Sequence, residues 1–196
     1  MVYQFLGYRK KTAAVPEKII ASVNSELALS IGLLRFKGVY AKFRVQVFPD
    51  KVELENGYIV NSAKFAAWVN DCSEIYLFAV TAGALFSERI MQLLKDGDVS
   101  RALIADAVGS AAAECCAEAA DNYIRNLETG KTFTKRFSPG YSDWNVADNR
   151  ILVSYLQTDR IGLTVNDKGL MIPEKSVSAA IGVKPGTGNW RPMTDH

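Results

Sequence analysis

The segment Arg136-Phe137-Ser138-Pro139-Gly140-Tyr141 gathers residue types that suit a small zwitterionic ligand. An arginine's planar fork makes two parallel hydrogen bonds to a carboxylate. A Pro-Gly pair forces a turn that exposes backbone donors and acceptors, and its glycine lets a ligand approach the main chain. Tyrosine adds a flat apolar face and a hydroxyl. Taken by itself, such a turn also reads as plain structure. A polar stripe lies upstream. Asp106, Ser110, Glu114, Glu118, Asp121 and Arg125 recur at steps of three or four, so they share one face of a helix. Any solvated helix face has the same spacing.

Other chemistries find no support. The only histidine is His196, the last residue, which removes Cys/His and Ser/His/Asp catalysis and most zinc sites. The three cysteines, Cys72, Cys115 and Cys116, are odd in number and two are adjacent. They make no disulfide framework and suit a reducing cytoplasm. Cys115 and Cys116 read as buried helix residues, not as a metal pair. Thr129-Gly130-Lys131-Thr132 evokes a phosphate loop, but that motif needs glycine where Arg125 stands and a strand before it. Gly130 reads instead as a helix stop. Gly186 and Gly188 are too isolated to signal a dinucleotide fold.

The net charge is +2, with charges well mixed, so there is no electrostatic footprint for nucleic acid. Arg9-Lys10-Lys11 reads as a solvated turn. The longest apolar run, residues 75–86, falls well short of the roughly 20 residues that span a bilayer. Polar residues interrupt any signal-like run at the start. These features point to a cytoplasmic chain with neither a nucleic-acid nor a membrane partner.

The elements that must position the candidates follow from periodicity. Pro16 and Glu17 open a helix that runs to about Gly32. Phe43, Val45 and Val47 alternate with polar residues from Ala41 onward, as in a half-buried strand. Val52, Leu54 and residues 58–60 continue it, with Glu55-Asn56-Gly57 as a hairpin turn. Asn61 or Ser62 caps a short helix over residues 63–69, and residues 75–80 read as a buried strand. A helix over 86–94 and a turn at 95–98 precede the strongest element, a helix over 99–127. Ile104, Val108, Ala111, Cys115 and Ala119 mark its buried face. Gly109, Ser110 and the alanines make it slim enough for another backbone to approach. Beyond Gly130 the chain reads as irregular, then as a helix over 146–156. Strands follow over 161–165, 170–172 and 176–183, with a turn at 166–169 between the first two. The tail from Lys184 to His196 reads as loose. The 196 residues predict one α/β (α+β) domain with a mainly antiparallel sheet and long helices packed on it.

"RFSPGYSDW", followed by "IGLTVNDKGLMIPEKSVSAAIG", resembles the activation (reactivation) domain of cobalamin-dependent methionine synthase, above all its short, free-standing relatives. The combination of Arg-x-x-x-Gly-Tyr with Met-x-Pro-x-x-Ser-Val-Ser, here residues 171–178, is specific. "GSAAAECCAEAADNYI" on the long helix also resembles the family. The resemblance covers residues 102–183. It implies an S-adenosylmethionine site in which Arg136 holds the ligand's carboxylate, and Ser138 and Gly140 offer backbone to the adenosyl part. Tyr141 would lie near the ligand and the facing corrin, and Glu114 would meet the ligand's cationic groups. The family repairs an oxidised cofactor in methionine biosynthesis. One electron from a flavodoxin-like donor and a methyl group from S-adenosylmethionine restore methylcobalamin, so the chain would serve as the reactivation component of a methyltransferase. The cobalamin is carried by a partner, the corrinoid-binding modules of a methionine synthase, and the difficult chemistry belongs to the cobalt. No catalytic or metal-ligating residue is therefore expected in this chain.

There are departures from the family pattern. Its acidic ligand-binding residue from the N-terminal region has no clear counterpart among Asp50, Glu53, Glu55 and Asp71. Its aromatic pair beyond the Ser-Val-Ser strand is not preserved, Trp190 being the only aromatic nearby. A docking module that keeps the fold but has lost the ligand is the second reading. An ordinary S-adenosylmethionine methyltransferase is the third, disfavoured because no glycine-rich strand-to-helix turn is evident.

Overall fold

The computed structural model describes residues 1–8 and 15–185. Arg9-Lys10-Lys11, Gly186, Gly188, Trp190 and His196, with the rest of the tail read as loose, lie outside the described residues. Lys184, placed in that tail by the sequence, instead closes a strand.

Six strands form one sheet in the order β3-β2-β1-β4-β8-β5. They are β1 (Lys37–Val47), β2 (Lys51–Leu54), β3 (Ile59–Asn61), β4 (Glu74–Thr81), β5 (Thr132–Phe133) and β8 (Ser176–Lys184). Every neighbouring pair is antiparallel. The mixed α/β fold with an antiparallel sheet, expected from the sequence, is therefore what the chain adopts. At the centre, Phe78 of β4 sits opposite Tyr40 of β1 and Ala179 of β8. β4 and β8 are buried along nearly their whole length, which explains their unbroken apolar sequence: both faces of the sheet are covered.

The alternation of β4 divides the core in two. Tyr76, Phe78 and Val80 face α2 (Glu17–Ile31), α4 (Leu85–Lys95) and α5 (Val99–Leu127), meeting Val23, Phe86, Val108 and Ile124. Ile75, Leu77 and Ala79 face the other way, toward Phe65 of α3 (Ala63–Trp68), Trp144, and Leu152 of α6 (Asn149–Leu156). A short helix α1 (Val2–Phe5) packs on the α5 side. No helix among the described residues is long and apolar enough to cross a membrane.

Local chemistry accounts for the helix boundaries. Ser62, not Asn61, caps α3, its Oγ accepting from the Phe65 amide at 2.9 Å. Asp98 caps α5 by accepting from the Arg101 amide at 3.1 Å, so the turn read at 95–98 ends in the cap. At the far end of α5 the expected bound holds and only the role of Gly130 changes. The helix stops at Leu127, and Gly130, with φ of +78°, closes the turn that follows. The expected buried face of α5 holds for Ile104, Val108 and Ala111 and is rotated beyond them, so that Ala119 is exposed. Cys115 is exposed, while Cys116, Ala117 and Ile124 are buried. The first half of α5 is enclosed between α2, α4 and the sheet, so its burial is broad; the second half keeps only the sheet side. Burial pushes the Cys116 thiol up to about 11. A Cβ added at Gly109 would lie 3.0 Å from Lys175 Cε, so what approaches the helix there is the aliphatic stem of that lysine and not another backbone. That lysine ends on Asp106 at 2.6 Å and Ser110 at 3.0 Å.

Beyond Gly130 three readings change. A two-residue strand, β5, was not foreseen there. Residues 158–161 form a 3₁₀ turn bracketed by left-handed Gln157 and Gly162, and the Thr158 hydroxyl donates to Leu163 O at 2.6 Å. Only Thr164–Val165 (β6) remains extended, and it pairs with Met171–Ile172 (β7) in a separate ribbon. Val146–Asp148 is likewise 3₁₀, leaving α6 to begin at Asn149. The ribbon's turn is held by Asn166 Oδ1, which accepts from the amides of Lys168 and Leu170. It ends at Gly169, with φ of +79°, where an added Cβ would lie 2.5 Å from Val146 O and 2.8 Å from Ala147 Cα. Backbone cannot yield there as a flexible side chain could. Gly169→Ala should therefore lower stability by about 2 kcal/mol or more, measured by urea unfolding; a loss under about 0.5 kcal/mol would contradict this packing.

Candidate functional site

The site begins with a mismatch in pairing along β8. Thr132 and Phe133 sit opposite Lys184 and Val183, and Phe137 sits opposite Ala180. One extra residue is thus inserted between Phe133 and Phe137, which is a β-bulge. The hydrogen bonds explain how it is held. Thr134 N donates to Gly182 O at 2.9 Å, but the Gly182 amide donates to the Thr134 hydroxyl at 2.9 Å and not to its carbonyl. The freed Thr134 carbonyl accepts from Arg125 Nη2 at 2.8 Å, and the Lys135 carbonyl accepts from Trp68 Nε1 at 2.9 Å. Every displaced group therefore keeps a partner.

The bulge shifts the alternation by one residue, so Phe137 faces away from the side of the sheet on which Phe133 packs, and Arg136 takes that side. Phe137 is buried against Phe65, with centroids 5.5 Å apart, and against Trp68 and Trp144. Arg136 turns over α5, where its Nη2 lies 3.1 Å from Glu114 Oε2 and its Nε lies 3.9 Å from Asp121 Oδ2. Asp121 is itself gripped by Arg125 Nε at 2.6 Å. Arg125 also lies over the Phe133 ring, 5.3 Å from its centroid. The result is a chain of alternating charge along one edge of the helix.

After Phe137 the strand breaks into a turn. Tyr141 N donates to Ser138 O at 3.0 Å, and Gly140 N donates to Trp144 O at 2.8 Å. Gly140 has φ of +87°, a conformation costly for any side chain. The turn leaves Tyr141 65% exposed, its ring standing edge-on to Phe137 at 5.2 Å. The Asp143 carboxylate ties the far side down by accepting from the Ser62 hydroxyl and from Lys64 N, the latter at 3.1 Å. The Ser62 bond, helped by the Lys64 amide, holds the Asp143 carboxyl below its ordinary pKa.

Between this turn and α5 lies a cavity of about 530 Å³. Its floor is Glu114, Glu118, Asp121 and Arg125 of α5, and its wall is residues 135–138, Tyr141 and Val177. Arg136, Ser138, Tyr141 and Glu114, singled out from the sequence, all border it. Gly140 does not; it shapes the turn, and a Cβ there would touch Val146 at 3.5 Å. Glu118, Asp121, Arg125 and Lys135 border the cavity without having been chosen as site residues. Their signal was the polar stripe on the helix, which by itself does not distinguish a site from a wet surface. Asp50, Glu53, Glu55 and Asp71 do not line it. Glu53 pairs with Lys51 at 2.6 Å, Glu55 accepts from Arg44 N at 3.0 Å, and Asp71 faces Lys184 at 3.7 Å. Three carboxylates and three cations line the space, so it can receive a zwitterion by exchanging partners without a net cost in charge.

Among solved structures the chain is similar to the MetH reactivation domain bound to AdoHcy. The TM-score is 0.67 and the sequence identity 15%, over 92% of this chain and 71% of that one. The likeness establishes the fold. No family model and no curated protein matches the chain.

The Asp143 clamp has a pH signature. Its folded-state pKa is depressed, so its stabilisation is present above about pH 4 and is lost as pH falls through the lowered value. Ser62→Ala removes both the α3 cap, worth about 1 kcal/mol at any pH, and the leading cause of the depression. Its penalty in urea unfolding should be larger at pH 7 than below about pH 3. Equal penalties would show that Asp143 does not hold the turn.

Proposed function

We propose that this chain binds S-adenosylmethionine and serves as the activation subunit for reductive remethylation of cob(II)alamin on a separate methionine synthase or related corrinoid protein. The observation that carries the reading is Arg136, brought by the bulge to the edge of a small-molecule-sized cavity and flanked there by carboxylates. The volume of about 530 Å³ falls within the roughly 300–1,000 Å³ of small-molecule sites. The fold shared with a reactivation domain bound to AdoHcy supports the same ligand class.

The chain's own part is to bind and orient. The Arg136 fork receives the ligand's carboxylate in exchange for Glu114, and the α5 carboxylates face its cationic groups. Backbone at Ser138 and the open turn at Gly140 accommodate the adenosyl part, while the exposed Tyr141 ring borders the ligand on the side open to a docking partner. The corrin cobalt, held by that partner, would supply the redox and methyl-accepting chemistry. A flavodoxin-like protein would deliver the electron, and the setting would be the cytoplasm.

A second reading, a docking module that no longer binds the ligand, is favoured by one observation: Arg136 already has two internal carboxylate neighbours. Isothermal calorimetry separates the two. Wild type should bind S-adenosylmethionine, and Arg136→Ala should bind it at least about thirtyfold more weakly. Arg136→Lys, which keeps the charge but loses the fork, should fall between. Absence of binding by wild type, even with a corrinoid protein present, would leave the docking module standing.

A further inference from the structure

Strand β1 is paired along its whole length on neither side. β4 pairs with it from Lys37 to Arg44, whereas β2 reaches only Val45, Gln46 and Val47. Residues 37–43 are therefore an open sheet edge in the middle of the strand order. Val45 N donates to Ser73 O at 3.1 Å, so the odd-numbered residues of β1 bond toward β4 and the even-numbered ones point away from it. Arg44 shows the same phase, its amide donating to Glu55 Oε1 at 3.0 Å and its carbonyl accepting from Glu55 N at 3.0 Å. Beyond that closure the amides and carbonyls of Gly38, Tyr40 and Lys42 have no partner among the described residues. Aromatic rings flank this edge. Tyr40 and Tyr123 of α5, with centroids 5.8 Å apart, are exposed by 44% and 56%, and with Phe36 and Gly38 they border a groove of about 410 Å³. Open backbone beside an apolar groove is a template for another strand.

We propose that the occupant is a second copy of this chain, with β1 pairing antiparallel to β1 about a two-fold axis through Tyr40. In that register Gly38 faces Lys42 of the other copy and Tyr40 faces its equivalent, so every open backbone group on both copies is bonded at once. The charges agree with the pairing. Lys42 comes opposite a glycine, and its ammonium is already held by Glu74 at 2.9 Å and by Glu128. β2 of one copy then lies end to end with β1 of the other, which brings Glu55 against Lys37. These two carry opposite charges and have no ion pair among the described residues. The Tyr40 and Tyr123 rings of both copies meet across the axis and supply the apolar part of the contact. One strand pair and its rings are smaller than the roughly 800 Å² per partner of a standard interface. The dimer is accordingly weak and reversible, with a dissociation constant on the order of 10 μM.

Sedimentation velocity on the full chain, from about 1 to 300 μM, reads the assembly. Wild type should pass from monomer to dimer over this range; a monomer throughout would leave the edge to another occupant and overturn the proposal. Because residue 40 meets its own equivalent, Tyr40→Lys and Tyr40→Glu should each weaken dimerisation at least about tenfold by like-charge repulsion. An equimolar mixture of the two should form a heterodimer within about threefold of the wild-type affinity. A dimer that neither substitution weakens lies on a different surface. Weakening by both without rescue on mixing takes residue 40 off the axis. Either result overturns the pairing. Lys37→Glu probes the register away from the axis and decides alone if the Tyr40 variants fail to fold by circular dichroism. It should weaken the dimer by about threefold or more at low salt, and adding Glu55→Lys to the same chain should restore it. No loss in Lys37→Glu, or a loss that the double variant does not recover, would overturn the register.

Discussion

One hydrogen bond governs the cavity: Arg125 of α5 donating to the carbonyl of Thr134. In a regular antiparallel ladder that carbonyl would accept from Gly182 across the strand. Here the threonine's own hydroxyl takes the Gly182 amide, and the carbonyl is handed to the helix. The extra residue between Phe133 and Phe137 follows from that exchange, as does the direction of Arg136. An arginine that faced along the sheet would have no cavity to serve. Because Arg125 also holds Asp121, the same side chain sets both the backbone geometry of the wall and the charge of the floor.

This coupling explains what the sequence could and could not reveal. The span 99–127 was legible to the residue, because an alanine-rich run bounded by Asp98 and a polar turn leaves few alternatives. β4 and β8 were legible because strands buried on both faces carry unbroken apolar runs. β5 was not, since two residues carry no period, and its pairing depends on Gly182 some fifty positions away. Residues 161–165 alternate like a strand, but the left-handed backbone at Gln157 and Gly162 overrides that pattern. Cys115 and Ala119 were misread as buried because a uniform helical stripe assumes a uniform neighbour, whereas α5 is enclosed at one end and open along the other.

The site was legible in its chemistry and less so in its composition. Arg136, Ser138, Tyr141 and Glu114 come from two segments that the fold brings to one cavity. Gly140 contributes conformation, its amide closing on Trp144 O. Asp121 and Arg125 were named in the polar stripe but not singled out, because charges four apart on a helix most often face water, and Lys135 lies in a segment with no pattern to mark it. What separates these from a solvated face is the strand laid across them, and nothing local in the sequence announces it. The resemblance to an activation domain anticipated a fold whose solved example has a TM-score of 0.67 at 15% identity.

The six-residue helix α3 touches the site at both of its ends while lying on the opposite face of the sheet. Trp68, its last residue, holds the Lys135 carbonyl just before Arg136, and its cap Ser62 holds Asp143 just after Tyr141. A helix is a rod of nearly fixed rise, so the separation of these two anchors is a manufactured dimension. The wall of the cavity is thus cut to a gauge stored where no ligand reaches. A change in the length of α3 would therefore alter the fit of every ligand at once.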